Sequence, residues 1–173
     1  MVIQKPYNVF VDESVQNRHG EDALAVTGYV ASFEEWIELE REWRQVLAYY
    51  KIPGPFHMTD FIARKGRFAN DWTDQKRNEF IGRLAETAEQ HTIAGIGCCI
   101  LRSDYEKALP TNIIERWGDP YFFLTFSFLS VLLGLPKRHR LTFPKPLYCL
   151  FDRKKKFVQG ARMGVLWHEK RQT

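Results

Sequence analysis

Apolar and polar residues alternate in blocks that predict, from the N-terminus, two strands, two helices, a strand, two helices, a strand and a last helix. Residues 7–11 are a short β-rich run that stops at Asp12, Glu13 and Ser14, and the polar stretch 16–20 reads as a turn. The apolar run 23–31 predicts a hairpin partner for the first strand. Ser32 is placed to cap a helix, and Glu35 three residues on completes a capping box. Phe33, Trp36, Ile37, Trp43, Val46, Leu47 and Tyr50 then recur at helical spacing, until Pro53, Gly54 and Pro55 end the element.

His57, Met58, Thr59, Asp60 and Phe61 follow, and then a polar loop through Asp71. Thr73 can cap the next helix, with Asp74 in its first turn and Phe80, Ile81, Leu84, Ala85 and Ala88 on its inner face. Residues 93–101 form a continuous apolar strand, which predicts burial on both faces inside a sheet covered by helices on both sides. A short helix over 103–109 precedes a long one that Asp119 caps, that enters through Pro120 and that runs to Leu135. Residues 147–151 form a second buried strand ended by Asp152, and residues 158–170 read as a final helix. The order implies an α/β fold, a mixed sheet covered by helices.

Composition narrows this picture modestly. A chain of 173 residues with a hydrophobic share of 45% can bury one full-sized core, so a single domain over 1–173 is expected. Lys and Arg outnumber Asp and Glu by 25 to 21, which permits an anionic partner such as nucleic acid without demanding one. Part of the excess is local, at residues 137–140 and at Arg153, Lys154, Lys155 and Lys156. Cys98, Cys99 and Cys149 sit in apolar runs without zinc-type spacing and read as buried thiols in a reducing compartment. Residues 121–135 carry no charge but fall short of the roughly 20 apolar residues of a membrane span. The N-terminus has no signal-peptide pattern, so a cytoplasmic protein without a membrane partner is expected.

Two strands end alike, one delivering Asp12 and the other Asp152. Were they parallel neighbours, both carboxylates would emerge at the carboxyl edge of the sheet, where ligands of open α/β sheets collect. Carboxylates so close repel unless a cation lies between them, and Mg²⁺ or Mn²⁺ suits such a pair while keeping positions for substrate oxygens. Metal ions so held can clamp a phosphodiester. Acidic residues after strands are also common turn formers and caps. Glu13 is a further ligand, a supporting group or an exposed turn residue. His57 and Asp60, three apart, share one face of a helical turn, either for catalysis or as a locally paired histidine. Lys65 and Arg67 can meet a phosphate or simply be solvated, and Arg153, Lys154 and Lys155, directly after Asp152, are placed to contact a nucleic-acid backbone. A Gly-rich phosphate loop, a Gly-x-Ser-x-Gly elbow and a cysteine beside a histidine are all missing from the sequence.

In its motifs the chain resembles domain-of-unknown-function family 3800, classed with the ribonuclease-H-like folds. The matching pieces are residues 9–14, 24–30, 57–61, 118–121 and 151–154, in the family's order over nearly the whole chain. The resemblance implies neighbouring strands ending in Asp12 and Asp152, and a metal-dependent nuclease or phosphodiester hydrolase in which Asp12, Glu13 and Asp152 serve, with His57 and Asp60. Val15 stands where such families place Gly, and no Gln-x-x-Asp motif follows in a later helix. The implied outcomes are a C-terminally truncated copy, a site completed by another molecule or an inactive protein. The competing expectation is a non-catalytic nucleic-acid-binding or protein-assembly module on the same fold, with a homodimer formed through an exposed sheet edge or apolar surface.

Overall fold

The computed structural model describes residues 6–18, 21–139 and 147–151. The fold is α/β, in the order β1 (Tyr7–Arg18), β2 (Glu21–Ser32), α1 (Phe33–Tyr49), α2 (Met58–Ile62), α3 (Asp74–His91), β3 (Ala94–Leu101), α4 (Arg102–Ala108), α5 (Thr111–Trp117), α6 (Pro120–His139) and β4 (Leu147–Phe151), with a 3₁₀ turn at Gly66–Phe68. The helix expected over 158–170 lies outside the described residues.

The helix starts obey the local chemistry. Ser32 Oγ accepts from the Glu35 amide at 3.2 Å, and Thr73 Oγ1 accepts from the Lys76 amide at 3.2 Å. Asp119 Oδ1 takes the Tyr121 amide at 3.0 Å just ahead of Pro120, whose missing N–H costs nothing in a first helical turn.

The chain divides into two compact units. One holds the sheet and α4 to α6. Its four described strands lie in the order β3-β2-β1-β4, a mixed sheet with β2 and β3 antiparallel and β1 and β4 parallel. Leu124, Phe128 and Leu132, one helical turn apart on α6, are buried together with Val9, Val11, Leu24, Val26, Val30 and Ile96 from three strands. Each such side chain contributes roughly 1.5–3 kcal/mol on burial. Close approach depends on Gly28: a Cβ there would stand 2.7 Å from the Phe10 carbonyl oxygen and 2.8 Å from Cζ of Phe128.

The sheet is less enclosed than its apolar strands suggest. The runs 93–101 and 147–151 predict burial on both faces, yet β3 and β4 are the edges of the described sheet, and their side chains alternate between packed and exposed. The packed set faces α6; the other set leaves Phe10, Tyr29, Leu101, Tyr148 and Leu150 exposed. Tyr29 covers its cross-strand neighbour Gly95, its ring carbon 3.0 Å from where a Cβ would stand. The first strand also outruns its expected end at Asp12. It continues to Arg18, because backbone pairing with β2 carries a polar segment that no apolar pattern marks.

The second unit, Ala31–Ile93, has its own core of Leu47, Tyr50, Ile52, Phe61, Phe68, Phe80 and Leu84. Its aromatic rings meet mostly edge to face, Phe56 and Phe80 at 5.1 Å and Phe68 and Trp72 at 5.1 Å between centroids. The Arg77 guanidinium lies 3.9 Å from the centre of the Phe61 ring and donates to the Phe61 carbonyl, tying α3 to α2.

Among the described residues no single helix is long and apolar enough to cross a membrane, and the α5–α6 pair that together reaches that length is bent by 85°. Gly28→Ala is predicted to destabilise the sheet unit by about 2 kcal/mol, the cost of forcing a methyl group into a closed contact. Its urea midpoint, set against that of Gly97→Ala, where a Cβ meets only a Thr27 methyl at 3.6 Å, checks this.

Candidate functional site

The two strands singled out in the sequence are parallel neighbours. Their register runs from Tyr7 opposite Leu147 to Val11 opposite Phe151. Asp12 is the next residue of β1, just past the described pairing with β4, where β1 continues beside β2. In the sequence Asp152 is the next residue after Phe151; it lies outside the described residues, with Arg153, Lys154 and Lys155.

Asp12 is exposed, and its Oδ1 accepts from the Glu13 amide at 2.9 Å. Consecutive side chains of an extended strand point to opposite faces. Asp12 therefore shares the open face with Phe10, while the half-buried Glu13 shares the packed face with Val9 and Val11. There the Tyr121 phenol donates a hydrogen bond to the Glu13 carboxylate. Burial, that hydrogen bond and the negative charges of Glu13 and Asp12 all push the phenol far above its ordinary ionisation range, opposed by the Thr125 hydroxyl. Tyr121 thus remains a proton donor at any physiological pH. It stands in the first turn of α6, its own amide held by Asp119. No spacing signal announces this contact, since the two residues lie more than a hundred positions apart in the chain.

His57 and Asp60 lie in the other unit, and so does Lys65. His57 precedes α2 as its N-cap residue but makes no side-chain cap, and Asp60 sits in the first turn. Both are exposed, and no hydrogen bond or ion pair joins them, although they share the helical turn that their spacing predicts. Lys65 is exposed ahead of the 3₁₀ turn, where Arg67 donates to the Pro53 carbonyl. Arg67 is thereby committed to holding a loop.

As a hard oxygen donor at the surface, Asp12 fits a magnesium or manganese ion in kind. Among the described residues, however, no group of three or more His, Cys, Asp or Glu side chains could hold a metal ion. A site of three or more such side chains at Asp12 would need ligands from outside them. Comparison with protein-family models, with curated proteins and with solved structures finds no match to this chain.

Tyr121→Phe removes the hydrogen bond that the helix donates to Glu13, a half-buried carboxylate. A loss of about 1 kcal/mol in unfolding free energy is predicted, part of which Glu13→Gln should restore when combined with Tyr121→Phe; chemical denaturation of the wild type and the two variants measures both effects.

Proposed function

We propose that this chain is a divalent-metal-dependent phosphodiester hydrolase of ribonuclease-H-like type, a nuclease whose ion is held by Asp12 and Asp152. The observation that supports the reading is the parallel register of β1 and β4, which sets Val11 against Phe151, each the residue before one of those aspartates. The motif resemblance to family 3800 points the same way. Bound magnesium or manganese would lower the pKa of a water and neutralise charge on a phosphate. In this reading Glu13 is a positioning group that Tyr121 fixes on the opposite face of β1. Arg153, Lys154 and Lys155 contact the flanking nucleic-acid backbone. His57, Asp60 and Lys65 are exposed groups of the helical unit and have no assigned part in this site. The setting is cytoplasmic, in keeping with the free thiols of Cys98, Cys99 and Cys149.

A second reading has its own support. The exposed sheet face with Phe10, Tyr29, Tyr148 and Leu150 suits a non-catalytic module that assembles with a partner or as a homodimer.

Incubation with single- and double-stranded DNA and RNA in Mg²⁺ or Mn²⁺ separates the two. The nuclease reading predicts cleavage that chelation abolishes. Asp12→Asn should reduce it by more than the roughly 10–100-fold lost with an outer-shell partner. Absence of hydrolysis on every polymer, with salt-sensitive binding that survives Asp152→Asn, would contradict it and favour the module.

A further inference from the structure

The helical unit sets one histidine between two carboxylates. His91 is the last residue of α3, and its side chain is only 14% exposed. Nδ1 lies 2.7 Å from Oε2 of Glu35 and Nε2 lies 3.1 Å from Oε2 of Glu42, so the ring stands between two acidic side chains of α1. The Nε2 contact is an ion-pair distance out of line for a straight hydrogen bond, and Nε2 is buried with no other polar partner. A neutral imidazole has one N–H and one lone pair. It can satisfy one carboxylate and must present the lone pair to the other. Only the imidazolium suits both.

The remaining charges agree. Glu35 and Glu42 are the charged groups that act on the ring; Arg41 pairs with Glu38, between them on α1, at 2.5 Å and reaches the other oxygen of Glu42, Oε1, at 3.5 Å, leaving Oε2 to the ring. On its own helix, His91 sits where the carbonyl end of the dipole favours a cation. The two carboxylates meet different nitrogens of one ring, so they form no common metal site.

We propose that His91 is a pH-sensitive clasp that holds α1 to α3 as an imidazolium shared by Glu35 and Glu42 and that loosens when the ring loses its proton. It sits at the end of the helix pair where the chain arrives from β2 through Ser32 and departs for β3 through Thr92. The clasp therefore joins the two chain ends of the helical unit. The hydrogen bond that Glu35 accepts first, then the close carboxylate of Glu42, raise the affinity of His91 for its proton above the ordinary value of 6.5, against the opposing effect of burial. With the folded-state value raised, the clasp's stabilisation is complete below pH 6.5 and is lost as the pH climbs through the higher folded-state midpoint.

Imidazole NMR signals of the full chain titrated with pH, His91 being assigned through His91→Gln, test this. The wild-type midpoint should lie above 6.5, fall in Glu35→Gln and in Glu42→Gln, and drop to 6.5 or below in the double variant, where burial still opposes the charged ring. A wild-type midpoint at or below 6.5, or one that the double variant leaves in place, overturns the proposal. Urea midpoints provide a separate check that needs no assignment. The wild type should exceed His91→Gln below pH 6.5, with the gap closing at alkaline pH; a gap that does not change with pH overturns the clasp.

Discussion

The parallel pairing of β1 with β4 is the constraint on which the sheet unit and its candidate site rest. Parallel neighbours cannot be joined by a tight turn, and their connection must cross back over the sheet. Here everything from β2 to α6 intervenes, and α6 brings the chain back. That helix can lie on the sheet because Gly28 offers no side chain between the Phe10 carbonyl and the Phe128 ring. Val9 and Val11 then find Leu124, Phe128 and Leu132 on one side, and β4 docks in register beside them. The address of Asp12 follows from these contacts: it is the first β1 residue beyond the shared pairing.

Strand alternation divides the labour of the acidic pair. Were Asp12 and Glu13 at the end of a strand, in a turn, both could bend toward one ion. Because β1 continues to Arg18, they are held on opposite faces. Glu13 is drawn into the interface with α6 by a tyrosine that keeps its proton, and Asp12 is left at the surface. The helical unit solves a similar problem with the opposite sign, placing a cation between two carboxylates at His91.

Much of this is legible in the residues. The capping chemistry of Ser32, Thr73 and Asp119 reappears as hydrogen bonds, and the helical periodicity of α3, α6 and the second half of α1 as packed faces, whereas Phe33 and Ile37 in the first half of α1 stay exposed. The pairing of the Asp12 strand with residues 147–151 does too. What escapes is whatever depends on partners distant in sequence. Short helices such as α2 and α5 have too few turns to announce themselves and persist through packing. The polar second half of β1 is held by its backbone. Apolar residues on both sides of β3 signal a strand enclosed on both faces, whereas β3 is an edge of the described sheet, with small residues at Gly95 and Gly97 and an exposed outer row. The Tyr121–Glu13 contact and the His91 clasp each join elements far apart in the chain, and no local pattern encodes them.

The central claim is that the end of the β1–β4 pairing holds one divalent cation. Amide NMR signals recorded during addition of Mn²⁺ test it most directly, because the paramagnetic ion broadens what lies near it. Broadening concentrated on Asp12, Glu13 and Phe151, and lost in Asp12→Asn, is the predicted result. Broadening centred elsewhere, or unchanged in Asp12→Asn, would contradict the account.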